Sequence, residues 1–138
     1  MIEVKFDSSS IEKPLKLLSY SFVIYKDKNK IYEEYGITNE KDAESYALYK
    51  ALEWIIKQNF KNEEIIIKSD AERIILKCLR IQQHKLNEES SLEKLINKIE
   101  EFNNISFITI PRKLNYEAHF LAIKAIKEYC KNKGIKIF

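Results

Sequence analysis

The sequence is short of the residues that punctuate a chain. Its 138 residues include only Gly36, Gly134, Pro14 and Pro111 from the two main breaker types, so no linker or low-complexity tract divides it. No internal repeat is present, and the length suits one domain, expected to cover residues 1–138. Cysteine is equally scarce. Cys78 and Cys130 stand far apart and form no CxxC pair, which argues against a disulfide framework or a zinc site and suits reduced thiols in a cytoplasmic protein. No apolar run is long enough to span a bilayer and no signal-peptide pattern is present, so a soluble cytoplasmic monomer is expected. An excess of one charge is also missing: 24 Lys+Arg against 21 Asp+Glu leave a net charge of +3. That balance excludes a polybasic arm, and any nucleic-acid contact must come from local clustering. The densest basic stretch holds Arg112, Lys113, Lys124, Lys127, Lys131, Lys133 and Lys136, offset by Glu117 and Glu128. It reads equally as a nucleic-acid contact or as a solvated helix face.

What the chain does have is strong periodicity, in a 45% hydrophobic composition that can bury a real core. Residues 2–6 alternate apolar and charged, as a strand does. Residues 19–25 and 30–36, rich in Val, Ile, Tyr and Phe, flank Lys26-Asp27-Lys28-Asn29 as the arms of a hairpin would. From Asp42, a candidate cap, to about Gln58 the residues Ala47, Leu48, Ala51, Leu52 and Ile55 recur at helical spacing. A β-branched run at 63–69 predicts a strand and 71–83 a helix, and Ser90 or Ser91 caps a further helix through Phe102. Residues 105–110 predict the last strand, ended by Pro111. Asn115 then caps a long helix to about Lys133, with Ala118, Leu121, Ala122, Ala125 and Tyr129 as its buried stripe. The order βββαβααβα implies an α/β fold: an antiparallel meander joined through crossover helices to parallel strands, a mixed five-stranded sheet with helices on both faces.

Three carboxylates lie where these elements begin or end. Asp7 follows the first strand, Glu44 opens the first helix, and Asp70 follows the fourth strand. Brought together by a sheet, they would form an oxygen-lined site for divalent metal, the usual equipment for cutting phosphodiester bonds. Each has a plainer reading. Asp7, before Ser8-Ser9-Ser10, could form a turn. Ser69-Asp70-Ala71-Glu72 is also a capping box. Glu44 is the most telling, because it heads the continuous stripe through Ala47, Leu48, Ala51, Leu52 and Ile55, where a carboxylate is costly unless it meets a cation.

With these residues in view, the chain resembles the type 1 ribonuclease H family. In that family the first strand ends in Asp, the first helix begins with Ala-Glu, and the fourth strand ends in Ser-Asp; here these are Asp7, Ala43-Glu44 and Ser69-Asp70. A fourth segment, from Ile110-Pro111-Arg112 through Asn115 to Ala118-His119-Phe120-Leu121-Ala122, is similar to the family's Val-Pro-Arg...Asn-x-x-Ala-Asp-x-Leu-Ala. The likeness covers about residues 2–130. It implies a ribonuclease H-like fold and a two-metal endonuclease that cuts the RNA strand of RNA/DNA hybrids, using Mg²⁺ or Mn²⁺. Asp7, Glu44 and Asp70 carry over as catalytic metal ligands, with Asp7 bridging both ions, and His119 stands at the fourth ligand position. Ser8, Ser9, Asn39, Arg112, Lys113 and Asn115 are implied to meet the substrate, a hybrid read by groove shape and 2′-hydroxyls.

The departures are specific. Ser8 replaces the glycine that usually follows the first Asp, and 13–18 replace a glycine-rich turn. Thr38-Asn39 lies one residue farther from Glu44 than the family's Thr-Asn. Only Gln82, Gln83, His84 and Lys85 occupy the place of a basic helical protrusion found in some members. His119 replaces the family's fourth aspartate, and imidazole favours Mn²⁺ or softer ions over Mg²⁺ more than a carboxylate does. Two other functions are compatible with this pattern: a catalytically silent nucleic-acid-binding or partner-docking domain, and a related nuclease for another structured nucleic acid such as branched DNA.

Overall fold

Pairing with its neighbour carries the first strand well past residue 6. In the computed structural model, which describes residues 1–83 and 93–137, β1 (Ile2–Ile11) pairs along its whole length with β2 (Leu17–Lys26), from Ile2 opposite Lys26 to Ile11 opposite Leu17. Ser8, Ser9 and Ser10 are therefore strand residues opposite Tyr20, Ser19 and Leu18, and Asp7 lies within a strand rather than in a turn. β3 (Asn29–Thr38) follows a two-residue turn in which Asp27 and Lys28 take φ of 49° and 72°. Left-handed residues at both central positions match the twist of a hairpin. Both strands run longer than the expected 19–25 and 30–36.

The remaining elements follow in the expected order. They are α1 (Ala43–Lys57), β4 (Ile65–Ser69), α2 (Glu72–Gln82), α3 (Glu93–Glu100), β5 (Ile105–Thr109), a short 3-10 helix Arg112–Asn115, and α4 (Tyr116–Asn132). Asp42 caps α1 as expected, accepting from the Ser45 N–H at 3.1 Å and from its hydroxyl at 2.8 Å. The expected caps Ser90 and Ser91, with His84 and Lys85, lie outside the described residues. Strand order is β3-β2-β1-β4-β5. β1, β2 and β3 are antiparallel, whereas β4 is parallel to β1 and β5 to β4. This is the mixed five-stranded sheet that the order βββαβααβα implied.

Alternation along the strands divides the residues between two faces. Ile2, Val4, Phe6, Phe22, Ile24, Ile65 and Ile67, all fully buried, share one core with Leu48, Leu52 and Ile55 of α1, Ile74 and Ile75 of α2, and Leu95 of α3. Each large apolar side chain buried there contributes roughly 1.5–3 kcal/mol. α4 covers the opposite face, with Ala118 and Leu121 on Val23 and with Ile126 and Cys130 on Leu17. Small residues at this contact let the helix approach closely. The buried hydroxyl of Ser19 donates to the Ala122 carbonyl at 2.7 Å, and that of Ser21 donates to the Ala118 carbonyl. Ser21 is also the β2 partner of Asp7, so the same contact sets the next residue of α4, His119, beside β1.

Candidate active site

The pleat that sends Phe6 into the core sends Asp7 to the α4 face, where it is only 5% exposed. Its carboxylate accepts the Ser8 N–H at 2.8 Å, and its other oxygen lies 3.1 Å from His119 Nδ1. Burial raises the Asp7 carboxyl above the ordinary range; the Ser8 hydrogen bond opposes this, the charge of Asp70 adds to it, and His119 lowers it.

Asp70 sits beside Asp7 because β4 ends one residue earlier. The Ser69 hydroxyl donates to the Phe6 carbonyl at 2.8 Å and accepts the Ala71 N–H at 3.0 Å, fixing the exit of β4 against β1. This replaces the expected capping box: α2 begins after Ala71, with no side-chain cap. Asn115 departs from expectation in the same way, since it makes no capping bond to α4. Instead its wholly buried amide donates to the Phe6 carbonyl at 2.9 Å and to Asp70 Oδ1 at 2.7 Å, which leaves its own oxygen without a partner. Arg112 Nε approaches the other Asp70 oxygen at 3.4 Å.

Glu44, in the first turn of α1, completes the group from the side of the helices. Its carboxyl is raised by burial; Arg73 opposes the shift, while the charges of Asp42 and Asp7 add to it. Arg73, from the first turn of α2, lies 3.5 Å from Glu44 and 2.9 Å from Asp42. At Asp42 burial opposes ionisation, but the hydrogen bonds from Arg73 and Ser45 outweigh it and hold the carboxyl below its usual range. Sequence reasoning missed Arg73 altogether.

The structure thus joins Asp7 and His119 by a hydrogen bond, with Asp70 and Glu44 each in electrostatic contact with Asp7. Three acidic oxygen donors and an imidazole, two of the acids disfavoured as anions, are a donor set suited to a divalent cation. Among the described residues no three His, Cys, Asp or Glu side chains stand close enough together to enclose an ion as they are. Glu44 and Asp70 face guanidinium groups instead, so a cation would have to replace those contacts.

The remaining residues expected to meet substrate are spread around this cluster. Ser8 and Ser9 are half-buried on β1, and Lys113 is exposed. Asn39 is exposed and borders a cavity of about 480 Å³ shared with Asp42, Ser45, Tyr46, Tyr49 and Lys94.

Comparison with known proteins agrees with this architecture. A family model described as reverse transcriptase-like matches residues 28–125, a span that contains Glu44, Asp70, Arg112 and His119 but not Asp7. The chain belongs to this ribonuclease H-like family, and the resemblance to type 1 ribonucleases H is borne out. Among solved structures, it is similar to LC11-RNase H1 bound to an RNA/DNA hybrid, with a TM-score of 0.73 and 25% identity over 94% of this chain and 99% of that one. It is similar also to LC11-RNase H1 isolated from compost by a metagenomic approach, with a TM-score of 0.72 and 29% identity over 93% and 96% of the two chains. RNase H1 from the halophilic archaeon Halobacterium salinarum shares the fold, with a TM-score of 0.71 and 21% identity over 92% and 98%. No curated protein gave a match. No helix among the described residues is long and apolar enough to cross a membrane.

Proposed function

We propose that this protein is a metal-dependent endoribonuclease that hydrolyses the RNA strand of RNA/DNA hybrids. The observation that carries the reading is the convergence on Asp7: His119 lies 3.1 Å from its carboxylate, the charge of Asp70 raises it, and its own charge raises Glu44. Buried acids that disfavour one another's charge are stabilised by a cation placed among them. Asp7, Glu44, Asp70 and His119 would hold the metal, two ions per site. Mg²⁺ or Mn²⁺, when bound, supplies an activated water and neutralises charge on the leaving oxygen.

The chain's own residues prepare that site. Asn115 holds Asp70 by its amide, and the Ser69 hydroxyl ties the two strands beneath it. Arg73 lies 3.5 Å from Glu44 and Arg112 3.4 Å from Asp70, contacts that a bound metal would replace. Ser8, Ser9, Asn39 and Lys113 would meet the phosphates and 2′-hydroxyls of a hybrid, contacts that position substrate without reading its sequence.

Those same guanidinium pairs favour a second reading, a catalytically silent nucleic-acid-binding module whose carboxylates are neutralised by arginine. Melting the protein in chelator and then in Mn²⁺ or Mg²⁺ separates the two, because an ion specific to the native state stabilises it by about 2.7 kcal/mol at a hundred times its Kd. The nuclease reading expects a melting point raised by metal and cleavage confined to the labelled RNA strand of a hybrid. An unchanged melting point together with an intact hybrid would leave the silent module. Cleavage of branched DNA in preference to the hybrid would instead assign a different substrate.

His119 offers a sharper test of the donor set. His119→Asp exchanges a nitrogen donor for a hard oxygen, which suits Mg²⁺ better. The variant should show a higher ratio of Mg²⁺- to Mn²⁺-supported activity than the parent, by roughly tenfold if the exchange is worth ~1.4 kcal/mol. An identical ratio in the two proteins would place His119 outside the metal's coordination shell.

A further inference from the structure

The nuclease reading leaves one surface feature unused. Tyr116 and Phe120 lie one helical turn apart at the start of α4 and are 65% and 52% exposed. Their rings stack on each other, with centroids 6.2 Å apart and planes at 29°. A single exposed aromatic needs no explanation, but two large rings held together in solvent form an apolar surface that no other described residue covers. Leu114, 54% exposed, precedes them. Helical spacing also places Lys127 on the face of Phe120, while exposed Arg112 and Lys113 lie one turn before Tyr116. The acidic residue of this turn, Glu117, is turned away toward β2 and β3, where it accepts from the Tyr25 hydroxyl at 2.6 Å and faces Lys30 at 3.6 Å. Beside the aromatic pair the basic groups are therefore Lys113 and Lys127, since Arg112 faces Asp70 at 3.4 Å.

Stacked aromatics set among basic residues are the equipment of a surface for unpaired nucleic acid, because every base offers a π-face and every nucleotide a phosphate. Position favours this occupant over a protein. His119, which touches Asp7, sits between the two rings in sequence, so the pair borders the candidate active site. We infer that Tyr116 and Phe120 form a stacking platform for unpaired bases of a single strand flanking the hybrid at the cleavage site. This rests on the nucleic-acid reading of the adjacent cluster and extends it to substrates with single-stranded ends.

The test uses the whole chain in chelator, where nothing is cut. Fluorescence anisotropy would compare a short oligothymidylate with an abasic strand of the same length and charge, for the parent, Tyr116→Ala/Phe120→Ala and the ring-keeping swap Tyr116→Phe/Phe120→Tyr. The parent and the swap should prefer the base-bearing strand by at least ~5-fold, what ~1 kcal/mol of stacking gives, and the double alanine variant should lose that preference. Both rings are exposed, so the alanine variant should keep the parent's circular dichroism spectrum. Equal affinity of the parent for the two strands would overturn the platform, as would a preference that survives removal of both rings. Loss of self-association in the alanine variant without any base preference in the parent would likewise overturn it and mark a protein interface. Cleavage of a blunt hybrid, measured alongside, keeps the two proposals apart. Base preference in a protein that cuts no hybrid upholds the platform and removes the nuclease reading. Cleavage without base preference does the reverse.

Discussion

Asp7→Asn is expected to slow hydrolysis of the RNA strand by roughly a thousandfold, the equivalent of ~4 kcal/mol of transition-state stabilisation at ~1.36 kcal/mol per tenfold. The fold should survive. Asparagine keeps the volume, its carbonyl can still accept the Ser8 N–H now 2.8 Å from the carboxylate, and its amide can donate to His119. Metal-free stability should even rise at neutral pH. Burial raises the Asp7 carboxyl above the ordinary value, so in the parent protein its favourable contribution is complete below about pH 4 and is lost as pH rises through the raised value. The uncharged variant has no such loss, and the gap in melting temperature between variant and parent should widen from about pH 4 upward. Melting in chelator across a pH series, together with hybrid cleavage in Mg²⁺ and Mn²⁺, checks both halves. A variant that cuts at the parental rate would remove Asp7 from the chemistry. One that unfolds would show that the carboxylate has a structural task which burial and charge do not reveal.

Where the determinants are local and periodic, the fold could be read directly from the sequence. The apolar spacing of α1 from Ala47 to Ile55 and the β-branched run of β4 announce a helix and a strand whatever surrounds them. The end of β1 was not legible, because Ser8, Ser9 and Ser10 carry no apolar signal. They remain in the strand only because β2 presents Tyr20, Ser19 and Leu18 opposite them. Pairing across a sheet is a long-range property, and three small polar residues read locally as a turn.

The candidate site divides along the same line. Asp7, Glu44 and Asp70 were visible as acids at the borders of apolar elements, and the position of His119 was visible through the resemblance. The hydrogen bonds that hold them were not. Arg73 reaches Asp42 and Glu44 across 31 and 29 residues of sequence, a meeting made because the sheet brings the starts of α1 and α2 within reach of each other. Ser69 and Asn115 each carried a strong local signal for a helix cap, and in both the tertiary partner won. A capping residue needs an extended backbone, but Asn115 leaves a 3-10 turn with φ −103° and ψ 24°. Its amide is directed into the gap between β1 and Asp70, where two acceptors await it.

Asn115→Asp follows from that geometry and should be among the most destabilising isosteric changes in the chain. The amide that now donates to the Phe6 carbonyl at 2.9 Å and to Asp70 at 2.7 Å would become an acceptor facing two acceptors. At neutral pH it would also be a buried charge beside another carboxylate. Leaving buried partners unsatisfied costs ~1–3 kcal/mol each, and more for a charged group, so a total near ~4 kcal/mol and a fall of roughly 15 °C in melting temperature are expected at pH 8. The loss should be pH-dependent. The new carboxyl's folded value is raised by burial and by Asp70, so its penalty is absent below the ordinary aspartate value of ~4 and grows as pH rises through the folded value. Protonated, it can donate once again. Asn115→Ala provides the contrast: it removes both donors and leaves a loss that does not vary with the titration of residue 115. Melting curves of the two variants between pH 4 and pH 8 in chelator decide the matter. If Asn115→Asp is as stable as the parent at pH 8, the amide is not the group that holds Asp70 against β1. If it recovers on adding Mn²⁺ at pH 8, the extra carboxylate has joined the metal's donors, as a position in contact with Asp70 allows.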